Sequence, residues 1–359
     1  MNPLKIYACY NKNDDLRIRS SSGAVFSSLA EYVFEKHGIV YGVAMSSDCY
    51  AAEFISVTNE NDLAKLRGSK YLQAKVGNAF KDIKRDLMSG KIVLFTGTGC
   101  QVNGLKKFLG KEYENLICID VICHGAPSPT LWKKYAQYQE QRNEGKLKSI
   151  NFRCKDKGWT NFCMKEALED ITDGNIKKLL ISKDEDYYMQ MFLRNYCLRP
   201  SCYECIAKKQ KMSDLTIADF WGINNVEPEM SDGLGTSLVL IRTIKGQNVF
   251  NHISCELKLK EVSYEAGVKE NPAEFKSCMR PPQRETFFDD MNNMSFETLG
   301  KKYATPVDMT FKGKIKRRIK NIIKNVCGGG QRVMQNTDYS LCFVFDRQEK
   351  KDEGSTSII

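Results

Sequence analysis

The chain contains the run Lys91-Ile-Val-Leu-Phe-Thr-Gly-Thr-Gly-Cys-Gln-Val-Asn-Gly-Leu-Lys-Lys-Phe-Leu109 and, after a polar turn, Leu116-Ile-Cys-Ile-Asp-Val-Ile-Cys123. Two short apolar runs bounded by turn signals, at 91–96 and 116–122, predict buried strands. The segment between them, from Val102 to Leu109, predicts a crossover helix. Strand, helix and strand in this order form a parallel βαβ unit, so both strands end at the same edge of a sheet.

Each of the two predicted strands leads into a cysteine, Cys100 after a Gly-Thr-Gly turn and Cys123 directly. The carboxyl edge of a parallel sheet is where open α/β folds bind ligands. A CxxC pair, Cys202 and Cys205, stands farther along the chain. We therefore expect these four thiols to converge on one four-sulfur site. Cys197 is an alternative to Cys100 as the fourth sulfur, or else a packed thiol.

Four soft thiolates select zinc or an iron–sulfur cluster. Structural zinc sites usually pair two short cysteine knuckles, whereas this chain has one CxxC and two isolated cysteines. An iron–sulfur cluster accepts scattered ligands more readily, so the pattern favours a cluster. A zinc site, a redox-active CxxC and inert core cysteines remain alternative interpretations at this point.

The composition is typical of a globular protein with a sizeable core, since the 359 residues are 42% hydrophobic and 27% charged. No apolar run approaches the length of a membrane span, and the N-terminus lacks the apolar segment of a signal peptide. We therefore expect a cytoplasmic protein in which the 14 cysteines stay mostly reduced.

The net charge of +10 is concentrated near the C-terminus. Residues 301–332 hold ten basic side chains and one acid, Asp308, and so carry +9 of the total. Because the rest of the chain shows no basic face interleaved with aromatic residues, we expect no nucleic-acid partner. Apolar positions in 312–326 follow a helical period with cations opposite, which predicts either a peripheral membrane contact or a helix packed on the body.

Strand and helix patterns alternate along most of the chain and predict a mixed α/β fold. We expect a parallel or mixed sheet with flanking helices and with the ligand site at the carboxyl edge of its strands. The chain divides into three predicted parts. Residues 1–150 form an N-terminal α/β part, residues 151–290 carry the CxxC loop, and residues 291–359 comprise the basic helix and a disordered polar tail.

Three short segments near this predicted edge suit an anionic or dinucleotide ligand. The segment 22–24 precedes a helix, whose first N–H groups suit a phosphate, and the loop 68–71 offers a glycine and a cation. The turn 96–101 suits a flat or anionic cofactor at the end of a strand. The first two have ordinary alternatives, an N-cap and a helix C-cap. Together the three segments indicate a dinucleotide cofactor, with the candidate contacts Ser22, Gly23, Ala24, Gly68, Ser69, Lys70, Tyr71, Thr96, Gly97, Thr98 and Gln101.

Six motifs occur in an order that resembles a known family. They are Ser22-Gly-Ala-Val-Phe26, Leu66-Arg-Gly-Ser-Lys-Tyr71, Thr98-Gly-Cys-Gln-Val-Asn-Gly-Leu105, Cys123-His-Gly-Ala-Pro-Ser-Pro129, Cys197-Leu-Arg-Pro-Ser-Cys-Tyr-Glu-Cys205 and Ser213-Asp-Leu-Thr-Ile-Ala-Asp-Phe-Trp-Gly222. Over residues 6–303 the chain resembles the beta subunit of coenzyme F420-reducing hydrogenase and dehydrogenase. Six motifs in order are far more specific than any one of them.

The resemblance implies an iron–sulfur flavoprotein oxidoreductase in which a [4Fe-4S] cluster, FAD and a deazaflavin of the coenzyme F420 type exchange electrons. It implies that Cys100, Cys123, Cys202 and Cys205 ligate the cluster, and that the three segments above contact the flavin. Many members of the family carry an N-terminal two-cluster ferredoxin domain that this sequence does not show. We therefore expect a separate ferredoxin-like or other electron-donor protein. The alternative is a non-catalytic scaffold stabilised by zinc or by a cluster.

The chain departs from the family pattern at two positions. Ala24 stands where the pattern has glycine, which adds a methyl group where a backbone approaches the cofactor. Gly99 stands where the pattern has proline, which loosens the turn before Cys100. No side chain is assigned as a catalytic acid or base, because the cofactors supply the redox chemistry.

Overall fold

The structure is a computed structural model that describes residues 3–304. Its strands are β1 (Lys5–Asn11), β2 (Ile39–Met45), β3 (Ala52–Val57), β4 (Ala74–Lys75), β5 (Val93–Thr98), β6 (Leu116–Val121), β7 (Gly145–Cys154), β8 (Cys163–Asp170), β9 (Ile176–Ser182), β10 (Leu215–Asp219), β11 (Ser237–Ile241) and β12 (Leu257–Glu261). Its helices are α1 (Asp14–Ile18), α2 (Val25–Glu35), α3 (Glu60–Leu63), α4 (Ala79–Met88), α5 (Gly99–Leu109), α6 (Pro129–Asn143), α7 (Tyr187–Leu193), α8 (Ile223–Val226), α9 (Ile244–Ile253), α10 (Tyr264–Val268), α11 (Arg284–Asn293) and α12 (Phe296–Tyr303).

Nine strands form one mixed sheet in the order β12-β1-β11-β10-β6-β5-β2-β3-β4. Its centre, from β10 through β6 and β5 to β2, is parallel. The strand β11 is antiparallel to both β10 and β1, so β1 runs in the same direction as the parallel centre. The carboxyl ends of β1, β2, β5, β6 and β10 therefore lie at one edge of the sheet, and the expected α/β fold class is confirmed.

The predicted βαβ unit is β5–α5–β6. Its two strands pair in parallel register from Val93 opposite Leu116 to Thr98 opposite Val121. The helix α5 begins at Gly99, three residues before the predicted start, because a capping box closes its first turn. In that box the Thr98 N–H donates to Gln101 Oε1 at 2.8 Å.

A second, three-stranded antiparallel sheet, β7-β8-β9, packs with α6 and α7 around an aromatic core. The helix α6 has no counterpart among the predicted helices. Its buried face begins with Leu131 and Trp132 but continues with Gln139 and Glu140. Those two polar side chains are buried because they are hydrogen-bonded, and Glu140 Oε1 accepts the Leu147 N–H at 3.0 Å. Apolar residues therefore do not recur at the helical period over the second half of α6, and the sequence pattern does not predict this helix.

The nine-stranded sheet draws strands from both sides of residue 150, since β10 pairs with β6 and β11 pairs with β1. The predicted division of the chain at that residue stays a prediction. The predicted basic helix at 312–326 and the polar tail lie outside the described residues, so the peripheral membrane contact also stays a prediction. Within residues 3–304, no helix is both long and apolar enough to cross a membrane.

A buried pair of carboxyl groups lies inside the aromatic core. The Tyr135 hydroxyl lies between them, within hydrogen-bond distance of Glu166 Oε1 and 2.8 Å from Asp186 Oδ2, and donates its single proton to one of the two. The Gln139 amide donates to Glu166 Oε2 at 3.0 Å. Burial raises the pKa of Glu166 to about 7 and the pKa of Asp186 to about 6. The folded protein therefore holds protons here that the unfolded chain, with carboxyl pKa values of about 4, releases.

We expect the contribution of this pair to the free energy of unfolding to fall as pH rises from about 4 to about 7, because the two groups bind more protons in the folded state than in the unfolded state in this range. The variant Glu166→Gln removes one of the two titrations and should lessen that fall. Urea unfolding at about pH 5 and at about pH 7.5 measures the difference. The control Glu169→Gln changes a half-exposed carboxylate on the same strand and should leave the fall unchanged. Equal pH dependence in Glu166→Gln and the parent protein would contradict this account.

Candidate functional site

Four cysteines from three parts of the chain approach one another at the carboxyl edge of the large sheet. Cys100 lies in the first turn of α5, and Cys123 follows β6 by two residues. Cys202 ends one short 3-10 helix and Cys205 precedes the next. Burial is the main cause that raises the pKa of Cys123 to about 12. The neighbouring Cys100, Cys202 and Cys205 thiols act in the same direction, and the Lys208 ammonium opposes them.

Polar donors and acceptors accompany two of these sulfurs. The Ala126 N–H donates to Cys202 Sγ at 3.4 Å, and Thr98 Oγ1 lies 3.1 Å from Cys100 Sγ. Burial raises the pKa of the Cys202 thiol, and the Cys100 and Cys205 thiols add to the shift. The structure therefore places Cys100, Cys123, Cys202 and Cys205 in one neighbourhood. Their role as ligands stays a prediction.

A glycine allows α5 to approach the CxxC loop. A Cβ atom on Gly99 would lie 3.1 Å from Ala207 Cβ and 2.9 Å from Asp120 Oδ2. Asp120 is held in place, because its Oδ1 accepts the Ser213 hydroxyl at 2.8 Å. The close contact between Gly99 and Ala207 packs the first turn of α5, which holds Cys100, against the segment that follows Cys205.

Cys197 does not join this group. It is fully buried in the aromatic core cluster that also contains Tyr188. Its carbonyl accepts the Ser128 N–H at 2.9 Å. Burial raises the pKa of its thiol to about 12, and the nearby charge that opposes this shift is the Arg284 guanidinium. Cys100, rather than Cys197, is the thiol that shifts the pKa of Cys123 and of Cys202. Which of the two is the fourth ligand stays a prediction.

A fifth thiol, Cys278, lies at the margin of the group. Its Sγ lies 3.7 Å from the Cys202 carbonyl oxygen. Burial raises its pKa to about 11, and the Cys202 and Cys205 thiols contribute. Sequence spacing carries no signal for this proximity, which arises from the fold alone. Within residues 3–304, no three His, Cys, Asp or Glu side chains are gathered in a way that could hold a single metal ion.

The segment 22–24 connects the β1 end of the sheet to α2 and is tightly packed. Ser22 Oγ donates to the Thr236 carbonyl at 2.8 Å, and the Gly23 N–H donates to Ser237 Oγ at 2.9 Å. A Cβ atom on Gly23 would lie 2.5 Å from the Cys9 carbonyl oxygen. Gly23 is therefore needed for backbone packing against β1 and β11.

Ala24 has a φ of 66°, in the left-handed region, and is the N-cap residue of α2. Glycine adopts this conformation without the steric cost that a Cβ atom brings, roughly 1–2 kcal/mol. Alanine at this position, where the family pattern has glycine, therefore adds a steric cost to the left-handed backbone. No side chain caps the first turn of α2. The Ser27 and Ser28 N–H groups donate to the Ala24 carbonyl, so the N–H groups of Val25 and Phe26 are the ones without an acceptor within the helix.

The loop 67–71 lies beside the segment 22–24, since the Ser69 N–H donates to Ser21 Oγ at 3.1 Å. Arg67 Nε donates to Ser27 Oγ, in the first turn of α2, at 2.9 Å. Arg67 Nη2 is buried and has no hydrogen-bond partner among the described residues. Burial and the neighbouring Arg19 lower the pKa of Arg67. An unused cationic donor beside an uncapped helix N-terminus is an arrangement that suits an anion.

Two further candidates of this loop, Lys70 and Tyr71, contact protein groups. Lys70 Nζ donates to the carbonyls of Lys65, at 2.9 Å, and Arg67, at 2.8 Å. Burial lowers the pKa of Lys70 to about 7. Tyr71 packs its ring against Phe152 and Phe192. By contrast, Gly68 has a φ of +82° and faces open space.

The candidates of the turn 96–101 build the junction between β5 and α5. Gln101 Oε1 accepts hydrogen bonds from both the N–H and the hydroxyl of Thr98. A Cβ atom on Gly97 would lie 2.9 Å from the same oxygen. Thr96 packs against β2, where a Cβ atom added to Gly42 would lie 3.0 Å from Thr96 Cγ2. These residues position the helix that carries Cys100.

Two lysines at the site are not among the sequence candidates. Lys155 Nζ donates to the carbonyls of Arg17, Ser22 and Leu234, at 2.7, 2.9 and 2.6 Å. Burial lowers its pKa to about 7. Lys208 Nζ donates to the Cys123 carbonyl at 2.6 Å and to the carbonyl of Ala273. Of the two lysines, only Lys208 could have been recognised from the sequence, because it stands three residues after Cys205.

A sheet edge with neighbouring thiols, an uncapped helix N-terminus and half-buried cations defines an α/β protein with a candidate site at the carboxyl ends of its strands. The chain belongs to the coenzyme F420 hydrogenase/dehydrogenase beta-subunit family. Residues 6–81 match the family's N-terminal region and residues 90–266 match its C-terminal region. Membership of a hydrogenase and dehydrogenase family indicates a redox function.

A chain of the F420-reducing [NiFe] hydrogenase complex from Methanosarcina barkeri, studied by xenon derivatization, is similar in structure. The TM-score is 0.47 at 13% sequence identity, and the match covers 90% of this chain and 94% of that chain. None of the curated proteins matches the chain.

The variant Gly23→Ala should lower the free energy of unfolding by about 1–3 kcal/mol, because its methyl group would overlap main-chain atoms that cannot move away. Denaturant unfolding measures the change. Gly104→Ala is the matched control. On α5, its Cβ atom would meet Phe80 at an ordinary 3.6 Å, and a helical alanine should stabilise by about 0.5–1 kcal/mol. Equal stability of the two variants would show that Gly23 is not a packing glycine.

Proposed function

We propose that this protein is an iron–sulfur flavoprotein oxidoreductase. It moves electrons between a [4Fe-4S] cluster, FAD and a hydride carrier of the coenzyme F420 type, a deazaflavin. The convergence of Cys100, Cys123, Cys202 and Cys205 at one sheet edge, in a chain of a hydrogenase and dehydrogenase family, is the observation that carries the proposal.

The residues present fit the cluster. Four thiolates from separate segments are the usual protein ligands of a [4Fe-4S] cluster. Such a cluster takes one thiolate at each iron, so its ligands need not meet at one point as the ligands of a single zinc ion do. The Ala126 N–H on Cys202 and the hydroxyl of Thr98 near Cys100 would tune its potential. The Lys208 ammonium would offset part of the negative charge.

The residues present also fit the phosphates of FAD. Arg67 Nη2 is an unused buried donor, and the first N–H groups of α2 lack a side-chain cap. A pyrophosphate would accept hydrogen bonds from both. The proposed flavin contacts are Ser22, Gly23, Ala24, Gly68, Ser69, Lys70, Tyr71, Thr96, Gly97, Thr98 and Gln101, to which we add Arg67.

FAD, when bound, supplies the conversion between one-electron and two-electron chemistry. The chain supplies position and electrostatics. Lys155 holds the Ser22 carbonyl and two others in place, so the segment before α2 is rigid. The contact between Gly99 and Ala207 keeps α5, and with it Cys100, against the CxxC loop.

Iron and sulfide analysis of anaerobically prepared protein tests the cluster assignment. The parent protein should contain about four iron and about four sulfide per chain. Each of Cys100→Ser, Cys123→Ser, Cys202→Ser and Cys205→Ser should lower both and weaken the visible absorption of the cluster. Cys255→Ser is the control, because Cys255 is exposed and lies outside the group. It should retain full iron content.

Two outcomes would contradict the proposal. Protein that stays colourless and free of iron after anaerobic reconstitution cannot carry out this electron transfer. Zinc bound without flavin would instead support the non-catalytic scaffold. Loss of iron in Cys197→Ala but not in Cys100→Ser would keep the cluster but assign its fourth ligand to Cys197 instead of Cys100.

The variant Arg67→Met should weaken FAD binding by about tenfold or more, as expected from the loss of one charge-assisted hydrogen bond. Fluorescence titration of flavin-depleted protein measures the dissociation constant. Arg85→Met is the matched control, since Arg85 is exposed on α4 and pairs with Asp82. It should bind FAD normally. Unchanged FAD affinity in Arg67→Met, with unfolding unaltered, would remove Arg67 from the flavin site.

A further inference from the structure

Two surface segments lie side by side: 199–209, which contains the CxxC cysteines, and 273–280. The Cys205 N–H donates to Ser277 Oγ at 3.0 Å, and the Cys278 thiol lies 3.7 Å from the Cys202 carbonyl oxygen. Lys208 also donates to the Ala273 carbonyl. These contacts join the two segments into one continuous surface, here called the cysteine face. Its exposed members used below are Arg199, Ile206, Lys209, Phe275, Lys276, Met279 and Arg280.

The cysteine face exposes large apolar side chains. Ile206 is 51% exposed, Phe275 is 54% exposed and Met279 is 76% exposed. A depression of about 510 Å³ lies between the two segments, lined by residues 200, 203 and 204 on one side and 277–280 on the other. Exposed apolar groups around a concave surface are typical of a protein contact site.

The same face carries uncompensated positive charge. Arg199, Lys209 and Lys276 form no ion pair with any residue from 3 to 304, and Arg280 pairs with Glu285. Glu204 is the exposed acid of the two segments; the other acid, Glu274, is buried and paired with Lys211 and Arg242. The face therefore complements an acidic surface.

Cys202 and Cys205 belong to the segment 199–209 and are half-buried. If they hold the cluster, an electron carrier seated on this face lies next to two of its ligands. We propose that the cysteine face is the docking site of a separate, acidic, one-electron carrier protein. This inference rests on the proposed function. Two reduced carrier molecules, each oxidised by one electron, supply the two electrons that make one hydride equivalent with one proton from solvent.

Binding of a purified, acidic two-cluster ferredoxin to the full-length, cluster-loaded protein tests the proposal by calorimetry. The variant Lys209→Glu/Lys276→Glu should raise the dissociation constant by about tenfold or more at low salt, and salt should weaken binding to the parent protein. Lys81→Glu/Lys84→Glu is the matched control. It makes the same charge change at exposed lysines of α4 and should alter the dissociation constant less than about twofold. Met279→Asp tests the apolar part and should also weaken binding.

Iron and flavin are measured on the same preparations, so the two proposals can fail separately. With iron and flavin present, ferredoxin affinity that is equal in the parent protein and the Lys209/Lys276 variant would overturn the docking site alone. Protein without iron or flavin would overturn both. Co-sedimentation with phosphatidylserine vesicles that is lost in this variant, while ferredoxin binding is unchanged, would make the face a membrane contact instead.

Discussion

The parallel pairing of β5 with β6 sets the position of the site. In-register hydrogen bonding from Val93 and Leu116 to Thr98 and Val121 makes both strands end together. The helix α5 makes the return crossing, and a crossover of this kind returns the chain in the same direction. If the two strands were antiparallel, Cys100 and Cys123 would stand at opposite edges of the sheet. No group of four thiols would then form.

Close contacts at glycines hold the site together. Gly99 lets α5 touch Ala207, and Gly23 lets the segment before α2 touch the Cys9 carbonyl. In both places the nearest atoms belong to the protein itself. A glycine in a motif that resembles a cofactor-binding turn can therefore be required for backbone packing, whether or not it also contacts a ligand.

Two half-buried lysines connect segments that are distant in the sequence. Lys155 joins the carbonyls of Arg17, Ser22 and Leu234, and Lys208 joins Cys123 to the segment that begins at Ala273. Each lysine satisfies main-chain acceptors, and Lys208 also places positive charge beside the Cys123 thiol. A charge that suits thiolates is thus part of the scaffold.

Local patterns in the sequence predicted the strands β5 and β6 and the cysteines that follow them, because apolar runs and turn residues act over short distances. They did not predict α6, whose buried face includes the hydrogen-bonded Gln139 and Glu140. They also carried no sign of the free donor of Arg67 or the proximity of Cys278 to Cys202. By itself the sequence determined the strand ends and the four candidate thiols. Which side chains meet there was decided by tertiary packing, because contacts between distant segments depend on how the whole chain folds.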